Sequence, residues 1–304
     1  MRLACVTMAF NEPDMLPLWV AHYAPYDRFV IDHGTDDGST ARLSVERVRI
    51  PRSAHDNRRR ADFVQDFTRA LLRYYDAVLF TDVDELVRPD PAEHATLSDY
   101  AAAHPLPVTT AIGVNLLHRL HHEGRFETAR SLWLQRGFAF PTASMCKPVL
   151  IREPVVWSRG FHTWNGPVSF GRLFLFHLAY FDRTIALRRQ AKRRSVQGAS
   201  MHHQAEDDLV AGWMEGWSAM PVVEPTWAPD CPFLGAFAAK VVASQFGRDA
   251  EEFTIDLEIG GDRLWTIPAR FRQEPGDNWA SDTGTAADVA WFAPNHVVAP
   301  GWNV

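Results

Sequence analysis

The stretch Ala77-Val78-Leu79-Phe80-Thr81-Asp82-Val83-Asp84-Glu85-Leu86-Val87-Arg88-Pro89 decides how the rest of the chain is read. Its four leading apolar residues are rich in β-preferring types and lack a helical period, which predicts a buried strand of a parallel sheet. The run ends abruptly in Asp82, Asp84 and Glu85, so the acids sit just past the strand's carboxyl end. In open α/β sheets that edge is where ligands bind, and acids concentrated there point to chemistry. Asp82 and Asp84 are hard oxygen ligands suited to Mn²⁺ or Mg²⁺, with water and substrate phosphate filling the remaining positions. Taken alone, the same Asp-x-Asp also reads as a solvated acidic turn.

The residues upstream shift that balance. Phe63, Val64, Phe67, Leu71 and Tyr74 recur on one helical face, predicting a helix that opens at Asn57 and leads into the acidic strand. Arg58, Arg59 and Arg60 fall in its first turn, where positive charge opposes the helix dipole unless an anion is nearby. Solvated arginines are the plainer alternative. Residues 45–50 alternate apolar and charged side chains as a strand would. Residues 29–31 form another buried run, ending in the polar loop 32–40 with Gly34 and Gly38 free to take positive φ. That loop is too acidic to cradle phosphate; it suits hydrogen bonds from a ribose or base, or is an ordinary Asp-Asp-Gly turn. Residues 3–10 read as the first strand, followed by Asn11-Glu12-Pro13 and a helix carrying Met15, Leu16, Trp19, Val20 and Tyr23. The alternation predicts an α/β fold with a doubly wound parallel sheet. Neither Gly-x-Gly-x-x-Gly nor a Walker loop follows the first strand, which removes support for a dinucleotide oxidoreductase or a P-loop enzyme.

With 304 residues the chain has room for one large domain, or one domain and an extension. Hydrophobic residues at 46% and charged residues at 22% are ordinary globular values. Lys plus Arg number 31 against 37 Asp plus Glu, and a net charge of -6 gives no whole-chain attraction to nucleic acid or anionic lipid. Any phosphate must therefore be held by a local site. Lys147, Lys192 and Lys240 are the only lysines, so the basic residues are nearly all Arg. Cys5, Cys146 and Cys231 are odd in number and widely spaced, which suggests neither a disulfide scaffold nor structural zinc and fits a reducing cytoplasm. Nothing resembling a leader or a span of about 18 apolar residues is seen. The expectation is a cytoplasmic protein, peripheral at the inner face of a membrane at most.

Several separate features, in order, resemble the GT-A-fold glycosyltransferases of the family-2-like group, in particular the capsule and lipopolysaccharide branch. They are Met8-Ala9-Phe10-Asn11-Glu12 with Leu16, Trp19 and His22; Val30-Ile31-Asp32-His33-Gly34-Thr35-Asp36-Asp37-Gly38-Ser39; Leu79-Phe80-Thr81-Asp82-Val83-Asp84-Glu85; and Phe176-His177 leading to Asp182-Arg183 and a basic helix. The resemblance covers roughly residues 1–195. It implies a GT-A fold: a Rossmann-like, mostly parallel central sheet flanked by helices. It divides the chain into a nucleotide-sugar-binding half (1–90), an acceptor and metal-completing half (91–195) and a C-terminal extension (196–304). By this resemblance Asp32 and Asp37 face a uridine-like base and ribose, Asp84 binds metal directly, and Asp82 contacts the sugar, ribose or metal shell. Asn11, Glu12, Arg60 and Arg183 join the donor-binding set. The residue after the first acid of the nucleotide loop, usually Asp or Asn in this branch, is His33, which leaves the base open.

Downstream, Thr96 and Asp99 form a capping-box pattern for a short helix to Ala103, and residues 108–117 read as a strand. The segment His118-Arg119-Leu120-His121-His122-Glu123-Gly124-Arg125 lacks the i, i+4 spacing of a zinc helix and reads as a polar loop for a sugar acceptor. Residues 147–151, 155–157 and 173–176 look like short strands. His177 matches the late histidine that GT-A enzymes supply to the metal, with His162 a second candidate; a packed core histidine is the alternative for each. The cluster Arg188, Arg189, Lys192, Arg193 and Arg194 reads as a solvated helix face in preference to a patch for pyrophosphate or anionic lipid, with Arg183 set apart from that reading. Trp213, Trp217 and Trp227 with four prolines suggest an irregular aromatic segment, then a helix over 233–246 and a strand pair within 253–267. This extension carries no functional motif, and covering the acceptor or mediating homo-oligomerisation are both open to it.

The combined expectation is a metal-dependent glycosyltransferase moving a sugar from a UDP-type nucleotide-sugar donor to a glycan, lipid-linked or other hydroxyl acceptor. Inversion follows the resemblance and needs a carboxylate base, for which Glu123 is nominated beside Glu127 and Glu153. The rivals are a sugar-1-phosphate nucleotidyltransferase, which calls for a Gly-rich basic loop where this chain has Asn11-Glu12, and a catalytically silent binding protein.

Overall fold

The computed structural model describes residues 1–41, 43–54, 56–194, 205–228, 230–247 and 253–272. Chain order begins β1 (Leu3–Ala9), α1 (Met15–His22), β2 (Asp27–Asp32), β3 (Glu46–Arg49), α2 (Asn57–Leu71), β4 (Ala77–Phe80), β5 (Glu85–Pro89), α3 (Leu97–Ala103) and β6 (Val108–Leu117). It continues α4 (Leu132–Gln135), β7 (Phe138–Pro141), β8 (Pro148–Ile151), β9 (Phe170–Tyr180), α5 (Arg183–Arg194), α6 (Asp207–Ser218) and β10 (Val222–Val223). The described part closes with α7 (Pro232–Ala243), β11 (Phe246–Gly247), β12 (Phe253–Thr254) and β13 (Leu264–Thr266).

Eleven strands form one sheet in the order β10-β13-β7-β6-β8-β4-β1-β2-β3, with β9 pairing β6 and β5. Strands β3, β2, β1 and β4 are parallel, and the apolar runs of β1 and β4 are buried along their whole length. This is the α/β, Rossmann-like architecture expected from the alternation. Beyond β4 the sheet is mixed, because β8 runs antiparallel to β4 and to β6. Strand β6 returns to the direction of β1 and β4, so the carboxyl ends of β1, β2, β4, β6 and β9 share one edge. Gly113 of β6 lies against a 3-10 turn at Ala143–Met145; a Cβ there would sit 2.1 Å from the Met145 backbone carbon, so no larger residue fits.

Three local expectations differ. Residues 155–157 form no strand, only an isolated bridge of Trp157 with Trp164. Trp213 and Trp217 lie in a regular helix, α6, because Val210, Met214 and Trp217 recur at helical spacing and the prolines begin only at Pro221. The two strands within 253–267 do not pair: β12 joins β11, while β13 bridges β7 and β10 at the main sheet's edge. The segment after residue 204 thus extends the sheet, and its Trp227 and Phe271 pack onto Phe174 and Phe176 of β9. Asp90 fastens it further, accepting from Arg172 and from Arg270 at 2.7 and 2.9 Å. Residues 273–304 lie outside the described part. No helix among the described residues is long and apolar enough to cross a membrane.

Candidate active site

Helix α1 lies beneath the acidic mouth and shapes it. Trp19 Nε1 donates to Thr81 Oγ1 at 2.9 Å, and the Tyr23 hydroxyl accepts from Val87 N at 2.8 Å. His22 Nε2 donates to the Val87 carbonyl at 3.0 Å. The helical spacing of these residues therefore fixes both ends of the turn 81–87. Within the turn, Glu85 N donates to the Asp82 carbonyl at 3.0 Å and Glu85 Oε2 accepts from Asp82 N at 2.9 Å.

Each acid of the mouth meets a cation. Asp82 Oδ1 accepts from Arg60 at 3.0 Å and Oδ2 from Lys147 Nζ at 2.8 Å. The same Lys147 lies 2.5 Å from Glu85 Oε1. Asp84 Oδ2 accepts from Arg189 at 2.7 Å and Arg193 at 3.1 Å, with His177 Nε2 at 3.4 Å. Glu12 pairs with Arg189 and Lys192, both at 3.0 Å. Four carboxylates thus face five cations, three of them on α5. The cluster on α5 is no solvated face: Arg189 is buried, and only Arg188 of this set stands largely in water, paired to Asp14. Arg189, Lys192 and Arg193 recur at i, i+3 and i+4, which turns one stripe of the helix onto the mouth.

Burial would raise the acid pKa values, but Lys147 and Arg60 outweigh it and hold Asp82 down to about 2. Arg189 and His177 outweigh it at Asp84, which lies well below the usual carboxylate range. Glu85 moves the other way, raised by burial with Asp82 adding to it. Burial works against the charge on Lys147 too, yet Asp82 and Glu85 carry its pKa upward. The mouth is an interlocked set of ion pairs at neutral pH.

The other predicted residues take varied places. Asn11 has a left-handed φ of 52°, and its side chain donates to Asp36 at 2.7 Å and accepts from Asp36 N at 3.0 Å, tying the ends of β1 and β2 together. Asp32 is fully buried and spends its oxygens on Thr35 N (2.7 Å) and Thr40 Oγ1 (3.0 Å), so it holds the loop's shape. Asp37 is exposed at the tip and caps Ser39 N at 2.8 Å. His33 is buried between Arg52 Nη1 (3.1 Å) and Ser53, and the Arg52 guanidinium stacks 3.8 Å over Phe10. Arg183 is exposed, away from the α5 stripe that meets the acids. Glu123 lies one loop away, with Oε1 accepting from Gly137 N at 2.7 Å and Oε2 from Arg119 N at 2.8 Å.

Two of the candidate metal donors, Asp84 and His177, lie side by side. His177 Nδ1 donates to Asn115 Oδ1 at 2.6 Å, which orients the ring and turns Nε2 toward Asp84 Oδ2. An oxygen and an imidazole nitrogen side by side are the right chemistry for a divalent cation that takes its other ligands from phosphate and water. Among the described residues no group of three or more His, Cys, Asp or Glu surrounds one point. His162 donates from Nδ1 to the Ser144 carbonyl at 2.6 Å, behind Lys147.

Two partly buried histidines give the fold a pH limit. Burial lowers His22 to about 4 against its Val87 hydrogen bond, and burial with Lys147 lowers His162 to about 4. Both are neutral when folded, so protons bind preferentially to the unfolded chain between its pKa of about 6.5 and that value. Stability is fully present above that window and falls as pH drops through it. Urea unfolding at pH 7 and pH 5 should show a loss of about 2 kcal/mol per histidine, reduced in His22→Gln. An unchanged midpoint would show that water reaches both rings.

No family model matches the chain, and no curated protein matches it. Among solved structures it is similar to mannose-1-phosphate geranyltransferase from Thermus thermophilus, at 14% identity over 72% of this chain and 68% of that chain, with a TM-score of 0.29.

Proposed function

We propose that this protein transfers a sugar from a nucleotide-sugar donor, UDP-linked by the resemblance noted above, to an acceptor hydroxyl. The observation that carries this reading is the meeting of Asp84, His177 and the α5 cations at the carboxyl edge of β4 and β9. Glycosyl transfer builds negative charge on a departing diphosphate, and preorganised donors aimed at that charge lower the barrier. Arg189, Lys192 and Arg193 are such donors. They are ordered before any ligand arrives because Glu12 and Asp84 hold them. Asp84 and His177 would hold Mn²⁺ or Mg²⁺, which when bound supplies further neutralisation of the diphosphate. Asp37, exposed beyond the loop that Asp32 and Asn11 brace, would accept from ribose or base. Glu123 is the proposed base, its two oxygens accepting from Gly137 N and Arg119 N.

The reading differs from a nucleotidyltransferase in its products. Full-length protein with Mn²⁺ and a panel of nucleotide sugars should release nucleoside diphosphate, faster when a hydroxyl acceptor is added. Pyrophosphate formed from a nucleoside triphosphate and a sugar 1-phosphate would replace glycosyl transfer by nucleotidyl transfer. Neither activity, with nucleotide bound, would leave a binding protein.

A further inference from the structure

Beside the mouth, on the same sheet edge, lies a cavity of about 410 Å³ whose chemistry differs from it. Its walls come from the loop after β6, the start of β7 and the segment after β13. The floor is rigid. Arg136 is fully buried, donating to the carbonyls of Phe181, Gly124 and Gln135 and to Asp182. Gln135 closes the rim by accepting from Glu127 N at 2.8 Å and donating to the Glu127, Arg130 and Ser131 carbonyls.

What projects from this frame is mainly cationic. Arg125 is exposed and makes no hydrogen bond or ion pair among the described residues. Arg130 has a loose pair with Glu127 at 3.8 Å. Arg272 reaches in from the far side, with Nε 3.3 Å from the Trp133 carbonyl and Nη2 3.5 Å from that of Leu134. Glu123 is the other acid of the wall, and backbone amides already use both its oxygens. The cavity therefore offers Arg125 and Arg272 without a carboxylate partner among the described residues, in walls to which α5 contributes nothing.

The geometry points to a subsite for an anionic saccharide, one bearing a carboxylate or a phosphate ester, held by Arg125 and Arg272 through forked hydrogen bonds. As the acceptor's place it rests on the glycosyl-transfer reading; as a binding site it does not. Glu123 on its wall would then lie next to the bound saccharide.

Ligand-observed NMR titration of the full chain tests it with methyl β-glucuronide, glucose 6-phosphate and neutral methyl β-glucoside. The first two separate carboxylate from phosphate as the recognised group. At least one anionic probe should bind about tenfold or more tightly than the glucoside. Arg125→Ala, at an exposed position that leaves the fold intact, should remove most of that preference, and Arg272→Ala should do likewise. UDP affinity should be unchanged by Arg125→Ala. Equal binding of charged and neutral probes, no binding of either anion, an unaffected Arg125→Ala variant, or displacement of the anion by UDP would each overturn the assignment. Anion binding without turnover of any nucleotide sugar would keep the subsite and discard glycosyl transfer; turnover without anion preference would do the reverse.

Discussion

Asp84→Asn is expected to reduce transfer by about a thousandfold or more and also to destabilise the fold by about 3 kcal/mol. The sequence alone suggests a mouth residue that contributes little to stability, but the structure makes Asp84 a buried counterion. Its Oδ2 is shared by Arg189, Arg193 and His177. A neutral amide accepts fewer of those bonds and leaves Arg189 and Arg193 side by side with Glu12 as their remaining nearby counter-charge. The stability part has a pH signature. Because the folded pKa of Asp84 is depressed, its contribution is present above the unfolded value of about 3.9 and is lost as pH falls through the folded one. The gap between wild type and Asp84→Asn in urea midpoints should therefore be full at pH 6 and shrink below about pH 4. Adding Arg189→Leu to Asp84→Asn removes the stranded charge and should recover stability without recovering transfer. A double variant that regains both would reduce Asp84 to a counterion.

The sequence disclosed the parts of this molecule that are written locally. Strands β1, β2 and β4 show as apolar runs, β6 has the bounds 108–117 that its residues predict, and the Thr96 cap of α3 accepts from Asp99 N at 3.0 Å as its pattern requires. Asp84 and His177 could be named because each ends a strand-like run, and β5–β9 register sets Glu85 opposite His177. The α5 cations are not legible locally because their partners are distant in sequence: Arg189 meets Asp84 across 105 residues, and nothing local distinguishes a solvated basic helix from one turned inward. One signal was available for Lys147. A lysine in Met-Cys-Lys-Pro-Val-Leu-Ile, next to a buried strand in a chain that uses Arg nearly everywhere else, is itself buried and so must be paired. Asn115 was hidden likewise, since a single polar residue in an apolar strand gives no hint that it orients a histidine ring.

Mn²⁺ and UDP are expected to bind cooperatively, each about tenfold or more tightly in the presence of the other. Repulsion between the acids of the mouth and a diphosphate is the simplest cause to suppose. The ion pairs replace that explanation, because five cations already balance the four carboxylates of the mouth. Competition for one atom takes its place. Asp84 Oδ2 is the oxygen beside His177 Nε2, and it is also where Arg189 donates at 2.7 Å. A divalent ion entering there must displace the guanidinium, whose buried charge then lacks part of its compensation unless a phosphate receives it. Cation and diphosphate therefore each supply what the other's arrival removes. Arg189→Ala separates this from simple bridging. With the competitor gone, Mn²⁺ alone should bind the variant about tenfold more tightly than wild type, and the gain from adding UDP should largely vanish. Electron paramagnetic resonance of free Mn²⁺, titrated with and without UDP, reads both quantities directly. If wild type bound Mn²⁺ equally well with and without UDP, or if Arg189→Ala bound it more weakly, exchange at Asp84 would be wrong, and Arg189 would serve to hold α5 against the sheet.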